Sequence, residues 1–355
     1  FEHNAYFNDA VFRKMASFLP LDADILFDPY NDNENIPIRP VHFQLNAKFK
    51  KAKFIGCSDF RLSKFEFTAD FEGARFKHGG KFNSAEFKKC ALFNGTKFYK
   101  VAEFHKVTFI EKADFKVAKF YDDVLFKEAK FTEFANFTQA TFKKNSYFTN
   151  IEKVAQLNFD RAEFKKHPPK TFETTLDEAS YFAGIVWPDA DKNSARDHIK
   201  AYERLRIQAS SLGMVEIRNI IVRKEFECRA IVAEGIDKLL RNAYGHISNH
   251  GTSVGRPLFC LFGLFFISYL FWGMHFFQFP IKYSEVNHFD LFLFNLSKTI
   301  PILNMDTLYT NKDMNETLSA APFYLKIPSV LLSVASPIFL FLAGLGLRSK
   351  FRMSL

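Results

Sequence analysis

Apolar residues in the first half of this chain recur at neither the helical period of 3.6 nor the strand period of 2. Phenylalanine returns instead at alternating steps of five and six. The run is Phe49, Phe54, Phe60, Phe65, Phe71, Phe76, Phe82, Phe87, Phe93, Phe98, Phe104, Phe109, Phe115, Phe120, Phe126, Phe131, Phe137, Phe142 and Phe148, without a gap. Two residues before each stands something small or β-branched, from Ala47, Ala52, Ser58 and Ser63 through Gly80 to Ala140 and Ser146. The beat reaches back to Phe43 and on to Phe159 and Phe164, with one beat lost near Lys153; Phe1, Phe7, Phe12 and Phe18 keep the same steps. A fixed repeat of this kind predicts one structural unit stacked on copies of itself. Two steps of five and two of six make a turn of about 22 residues, so residues 43–164 predict between five and six coils, about 25 Å of rod at strand spacing. The segment 26–40, with its Asp-Pro, Asn-Asp-Asn-Glu-Asn and Ile-Pro pieces, breaks the beat and reads as an inserted loop.

The pattern changes twice more. Over 191–250 it turns helical: Ser194, with Asp197 three residues on, reads as a capping box. Ile199, Tyr202, Leu205, Ala209 and Leu212 then form one stripe that Gly213 stops, and a second helix carries Ile217, Ile220, Ile221, Cys228, Ile231 and Val232, fading before Tyr244-Gly245. Over 251–355 two stretches without a fixed charge, about 257–278 and 327–347, are long enough to cross a bilayer as helices, the first with Trp272, Phe276 and Phe277 suited to an interfacial belt. A third apolar piece, 288–303, is too short to span and reads as a re-entrant or interfacial helix. The opening residues carry no signal-peptide pattern, so both spans read as internal.

The unit Ala52-Lys53-Phe54-Ile55-Gly56 resembles the repeat of the pentapeptide-repeat family, in its Phe-rich variety with an extra residue in every second repeat. The resemblance implies an all-β right-handed quadrilateral β-helix over residues 1–190, with the Phe and the small residue two before it pointing inward in ladders. A helical pair or linker (191–250) and a two-span α-helical membrane domain (251–355) then follow. Span, short helix and span is also the layout of two-transmembrane ion channels. Some bacterial pentapeptide-repeat proteins end in an ion-channel-like module, and the pieces similar to it are Gly251, Ser253, Arg256 and Pro257; Asn295, Leu296 and Pro301; and Gly344, Leu345, Leu347, Arg348, Phe351 and Arg352. His250 and Asn295 depart from that pattern, which has Tyr and Ser there.

Charge and chemistry narrow the reading. The net charge is +9, from 48 Lys and Arg against 39 Asp and Glu. Lys238 and Arg241 before the first span, Arg256 at its start, and Arg348, Lys350 and Arg352 after the second predict both chain ends in the cytoplasm, and hence a multi-pass protein of the bacterial inner membrane. Residues 43–166 hold 25 Lys and Arg against 15 Asp and Glu. That disfavours the acidic DNA mimicry known for quinolone-resistance members of the family, and the lysines (Lys50, Lys51, Lys88, Lys89, Lys143, Lys144) read as solvating gatekeepers with no interleaved aromatics, which argues against nucleic acid. The four cysteines show no paired or zinc spacing and read as free thiols. No phosphate loop, nucleophile elbow or metal set is present, so the chain reads as a non-enzyme without cofactor or metal.

No glycine lies between Gly273 and Gly344, which excludes a glycine-lined potassium filter in the short helix. Candidate pore-lining residues are Asn295, Ser297, Lys298 and Thr299, with Asn304 and Asp306 beyond Pro301. Ser329, Ser333, Ser336, Ala343, Gly344 and Gly346 would let the spans pack closely, and Pro337 would bend the second. One copy with two spans cannot enclose a pore, so a homo-oligomer, most simply a tetramer, is implied. The expectation is an oligomeric ion channel or pore in the lipid bilayer, gated by a cytoplasmic repeat domain that senses an unidentified protein or ligand. The alternatives are a membrane-anchored repeat scaffold without conduction and a pore-forming defence or toxin effector.

Overall fold

The computed structural model describes residues 1–17, 41–151, 154–174, 176–177, 180–278, 288–300 and 323–351. The chain forms two compact units, Phe1–Val232 and Ala233–Leu355. The expected loop over 26–40 lies outside the described residues.

The first unit is a β-solenoid of about five turns. Its strands are mostly two residues long, all paired in parallel, and they fall into four ladders. One ladder steps Lys53, Arg75, Lys97, Lys119, Thr141 and Glu163, every partner 22 residues on. The longer strand β20 (Lys130–Asn136) belongs to two ladders at once, through Phe131 and Ala135. Where β1 (Ala5–Tyr6) and β3 (Ala16–Ser17) meet the next turn the offset is 42 instead of 22. A surplus of 20 residues is thus inserted between β3 and β4 (His42–Phe43) without loss of register.

The core is the phenylalanine ladder. From Phe43 to Phe164 each ring stacks on the ring one turn away at 4.6 Å (Phe54 on Phe76) to 5.3 Å (Phe98 on Phe120) between centroids. Two of the four columns interdigitate: Phe60 sits edge-on between Phe49 and Phe71, at 5.5 and 5.3 Å, and is itself stacked on Phe82. Both geometries suit the ring quadrupole, and each buried ring stabilises by about 1.5–3 kcal/mol before chain entropy is subtracted. The small residue two before each Phe is buried too, because the opposing rings leave no width for more. The missing beat near Lys153 falls where Val154 of β23 (Val154–Asn158) stands opposite Phe131. A bulge before Phe134↔Gln156 restores the 22-residue step at Asn136↔Asn158.

The alternation of five and six is an alternation of turns. Each five-residue step closes a four-residue turn by a backbone bond, as from the Ala52 N–H to the Phe49 carbonyl (3.1 Å), and its third residue has positive φ. Lys51, Leu62, Gly73, Ser84, Gly95, Lys106, Val117, Glu128, Gln139, Asn150 and Arg161 occupy this corner, one every eleven residues. Positive φ at the third position is the type II signature that favours Gly or Asn. Val117, β-branched at φ 59°, is the most strained occupant.

The last turn is closed by helices of the same unit. Trp187 stacks on Phe164 (6.1 Å) and meets Tyr202 edge-on (5.9 Å). Tyr202 belongs to α1 (Ala195–Ser211), which pairs with α2 (Val215–Val232). Gln208 of α1 donates to the carbonyls of Thr171 and Thr174, and Leu212, Met214 and Ile217 pack against the phenylalanine core. The pair is therefore a cap on the open end of the stack, which any solenoid requires. The capping box stands three residues earlier than expected: the Asp191 carboxylate accepts from the Ser194 N–H (2.8 Å), while the Ser194 hydroxyl accepts from the Asp191 N–H (3.0 Å). Asp197 plays no part in it.

Between solenoid and cap lies a histidine pair. The buried His198 has Nε2 3.0 Å from the Lys166 carbonyl and 3.2 Å from Nδ1 of His167. Burial holds both imidazoles below the usual histidine range, reinforced at His198 by His167 and at His167 by Lys170 and Lys166.

Two outcomes are expected. Replacing Val117 by Asn should raise stability by about 1 kcal/mol by relieving a left-handed β-branched residue; a matching rise in the thermal midpoint checks this, and a fall refutes it. Both histidines are harder to protonate folded than unfolded, so stability is full above about pH 6.5 and is lost as pH falls below it. The protection of α1 amides, after correction for the intrinsic pH dependence of exchange, should therefore fall as pH drops below about 6.5, and His198→Leu should flatten that dependence.

Candidate functional site

The second unit holds α3 (Gly235–Ser248), α4 (Gly255–Gln278), α5 (His288–Thr299) and α6 (Phe323–Phe351). The second helix of the expected pair is thus two, divided at Ala233–Glu234, with Gly235 at φ 56° opening α3. α4 and α6 contain stretches long and apolar enough to cross a membrane, Gly255–Met274 and Lys326–Lys350. A buried core helix of a water-soluble protein would pass the same test of length and composition. Here only 28% and 33% of the two apolar windows are buried. Phe259, Phe262, Phe266, Val330, Val334, Ile338 and Phe341 stand exposed on the outside of the unit. A face of that kind needs an apolar solvent or an apolar partner.

The inner faces carry the polar groups. α4, α5 and α6 pack on one another in all three pairings. Ser268 of α4 donates to Oδ1 of Asn295 on α5 (2.6 Å), and Asn295 Nδ2 donates to the Leu291 carbonyl (2.9 Å). The Thr299 hydroxyl returns to the Asn295 carbonyl (2.8 Å), and the Ser336 hydroxyl of α6 reaches across to the Lys298 carbonyl (3.2 Å). That hydroxyl also lies 3.5 Å from the Ser333 carbonyl, whose helical donor Pro337 cannot supply. α6 accordingly runs as a helix through both Pro328 and Pro337. Trp272 is buried edge-on against Phe294 at 5.9 Å.

Of the residues expected to line a pore, Asn295 is wholly enclosed and Thr299 nearly so, both committed to bonds within the three-helix junction. Ser297 is half-buried and donates to the Phe294 carbonyl (2.7 Å). Lys298 is half-buried with its ammonium 5.6 Å from the Phe294 ring centre. Asn304, Asp306 and the Pro301 break lie outside the described residues. Sequence reasoning missed Ser268, whose only sequence signal is that it is polar in an apolar run.

The expected close-packing residues divide. Ser329, Ser336, Ala343 and Gly346 are buried, whereas Gly344 is exposed. A Cβ on Gly346 would stand 2.6 Å from the Ser253 carbonyl, so only glycine lets α6 approach the turn that leads into α4.

On the solenoid, one expectation is corrected. Aromatics do interleave the outward lysines: Lys77 lies 3.9 Å over Tyr99, Tyr99 stacks on Tyr121 (4.8 Å), and Lys143 lies 4.2 Å over Tyr121, while Lys48 over Tyr6 and Lys170 over Tyr147 make separate pairs. The same 22-residue register that stacks the core makes this surface ladder, and each ring is capped by a lysine of the chain. Among the described residues no group of histidine, cysteine and acidic side chains is arranged to hold a metal, and the four cysteines are free.

Residues 41–86 match the family model for pentapeptide repeats (9 copies). Neither the curated proteins nor the solved structures contain a match to the chain.

The junction makes a measurable claim. In a double-mutant cycle with Ser268→Ala and Asn295→Leu, unfolding in detergent should show a coupling of about 0.6 kcal/mol, the average for hydrogen bonds between apolar helices, and no more than about 1.7 kcal/mol. Strict additivity would mean that the Ser268–Asn295 bond contributes nothing.

Proposed function

We propose that this chain is one subunit of a homo-oligomeric protein of the bacterial inner membrane. In it the second unit lines an ion path, and the pentapeptide-repeat unit, a right-handed four-sided coil in the cytoplasm, regulates conduction by binding a protein or ligand. The observation that carries the membrane reading is the outward apolar surface of α4 and α6 around an inner layer of hydrogen-bonded polar groups. A water-soluble fold reverses that order. Orientation rests on Arg256 at the start of α4 and Arg348 and Lys350 at the end of α6, which favour the cytoplasmic side. The short α5, held between two longer helices, is the piece that could dip into the bilayer without crossing it. In a tetramer a path would be framed by four copies of α5, with Ser297 and Lys298, the half-buried members of the candidate set, as its proposed lining.

A second reading has its own support. Asn295 and Thr299 are already spent on intramolecular bonds, as in a module built only to anchor the repeat unit. A defence effector that depolarises the cell would be a variant of the conducting form.

Lys298→Glu separates the readings. In protein reconstituted into planar bilayers, the exchange should raise the cation-to-anion permeability ratio several-fold, because it reverses the charge beside the path. Wild-type protein that is inserted yet carries no current would leave the anchor.

A further inference from the structure

α3 carries an apolar face that its own unit does not cover. Ile236, Leu239 and Leu240 fall at i, i+3 and i+4 and are 76%, 69% and 62% exposed. The neighbouring flank of the same helix is the part that packs. Ser248 is buried and donates to the Tyr244 carbonyl (2.7 Å), and the Gly251 N–H donates back to the Ser248 hydroxyl (3.0 Å). The left-handed Asn249, His250 and Gly251 then turn the chain into α4. The space for a Cβ on Gly251 is closed by the Tyr244 hydroxyl at 2.5 Å, and that on Gly346 by the Ser253 carbonyl. α3 is therefore held at one end of the α4–α6 pair, beside the start of α4 and the end of α6. Exposed basic residues gather at that end: Lys238 on α3, Arg256, Arg348 and Lys350, while Arg241 is paired with Asp237 (2.8 Å).

We infer that α3 is an interfacial helix whose Ile236, Leu239 and Leu240 bed into the headgroup–acyl boundary of an anionic bilayer. Its partner is the lipid surface itself, and the basic cluster binds the lipid phosphates. The inference rests on the membrane reading of α4 and α6. Two observations select lipid as the occupant. α3 runs through the Asn249–Gly251 turn into α4 and packs on both α4 and α6, whose outward faces are apolar, so a membrane around those helices would end close to it. On α3 and its cap the exposed charges are Glu234, Lys238 and Asp237, the last paired with Arg241. The helix ends it packs on, the start of α4 and the end of α6, carry the exposed Arg256, Arg348 and Lys350, a basic excess complementary to anionic headgroups. α3 also has the required make-up, with a strongly apolar side, a charged side and low overall hydrophobicity.

The test uses the whole chain with a tryptophan added at Leu239 or, as control, at Arg241, which lies on the opposite side of α3 and is paired with Asp237. Each variant is reconstituted into vesicles of phosphatidylcholine with about 30% phosphatidylglycerol, with and without chains brominated near the headgroup. Relative to the unsubstituted protein, Leu239→Trp should add emission that bromine quenches about twofold or more over that added by Arg241→Trp. Replacing the phosphatidylglycerol by phosphatidylcholine should weaken the difference. Equal quenching at the two positions overturns the inference. So does a blue-shifted but unquenched Leu239→Trp, which reports burial against protein, a second copy included. Flotation of the unsubstituted protein keeps the two ideas apart: protein that floats with vesicles and resists alkaline extraction, yet shows equal quenching, sinks the interfacial helix alone. Protein that fails to float sinks the membrane reading and with it this inference.

Discussion

Every coil of the first unit must place each residue above the one a turn earlier, because the ring stack and the backbone ladder share a single spacing. Parallel strands sit about 4.7–4.9 Å apart, and offset aromatic rings prefer centroids 4.5–7 Å apart. The observed 4.6–5.3 Å satisfies both at once. A surplus residue left uncorrected would carry a phenylalanine off its column and expose it. The chain admits surplus only where it can be shed: 20 residues between β3 and β4, and a bulge in β20 opposite the missing beat. After Phe164 the partners run 23 apart, as Tyr147↔Lys170 and Glu163↔Val186, and the stack ends in the α1–α2 cap.

That constraint explains which parts of the fold were legible. The repeat length, the inward phenylalanines and the small partners could be read because packing demands one residue type at each. The left-handed corner could not. Its positions are filled by lysine, leucine, serine, valine, glutamate and arginine as readily as by glycine, since a backbone bond closes the turn whatever the side chain. Corner strain is paid from the core, where each added coil buries four more rings. The capping function of α1 and α2 was equally hidden: the stripe on α1 announces a buried face but not what buries it. The answer depends on Thr171, Thr174 and Trp187, which sit beyond the regular beat.

In the second unit the lettering is different. Hydropathy marks α4 and α6 because an apolar medium would have to be matched along their length, and it marks α5 as short. It does not say which polar residue inside an apolar helix faces another helix. Asn295 reads as pore lining by residue type, and within the single chain its side chain ties α4 to α5. Ser268, unremarkable in its run, and Ser336, legible only as a small packing residue, complete the junction. Polar groups in such a setting find each other first, since an unsatisfied one costs more than any lining role could return.

The solenoid also constrains how a regulatory signal would travel in the proposed channel. Each coil touches only its neighbours, so a ligand on the repeat unit can act at a distance only by moving along the stack toward its capped end. There the buried Glu225 is held by Arg206 (2.9 Å) and Arg229 (3.0 Å), with Arg229 also paired to Glu203, which locks α2 against α1. The chain then leaves α2 through Ala233 and Glu234, two non-helical residues, before α3 begins at a left-handed glycine. A continuous helix would transmit rotation and tilt along its axis; this break transmits displacement with much less torque. If α3 lies in the bilayer surface, a pull on that junction acts on the start of α4 through the Asn249–Gly251 turn and on Gly346 of α6 by contact. In the proposed channel, gating by drawing α3 along the membrane would fit this covalent path better than gating by twisting the spans.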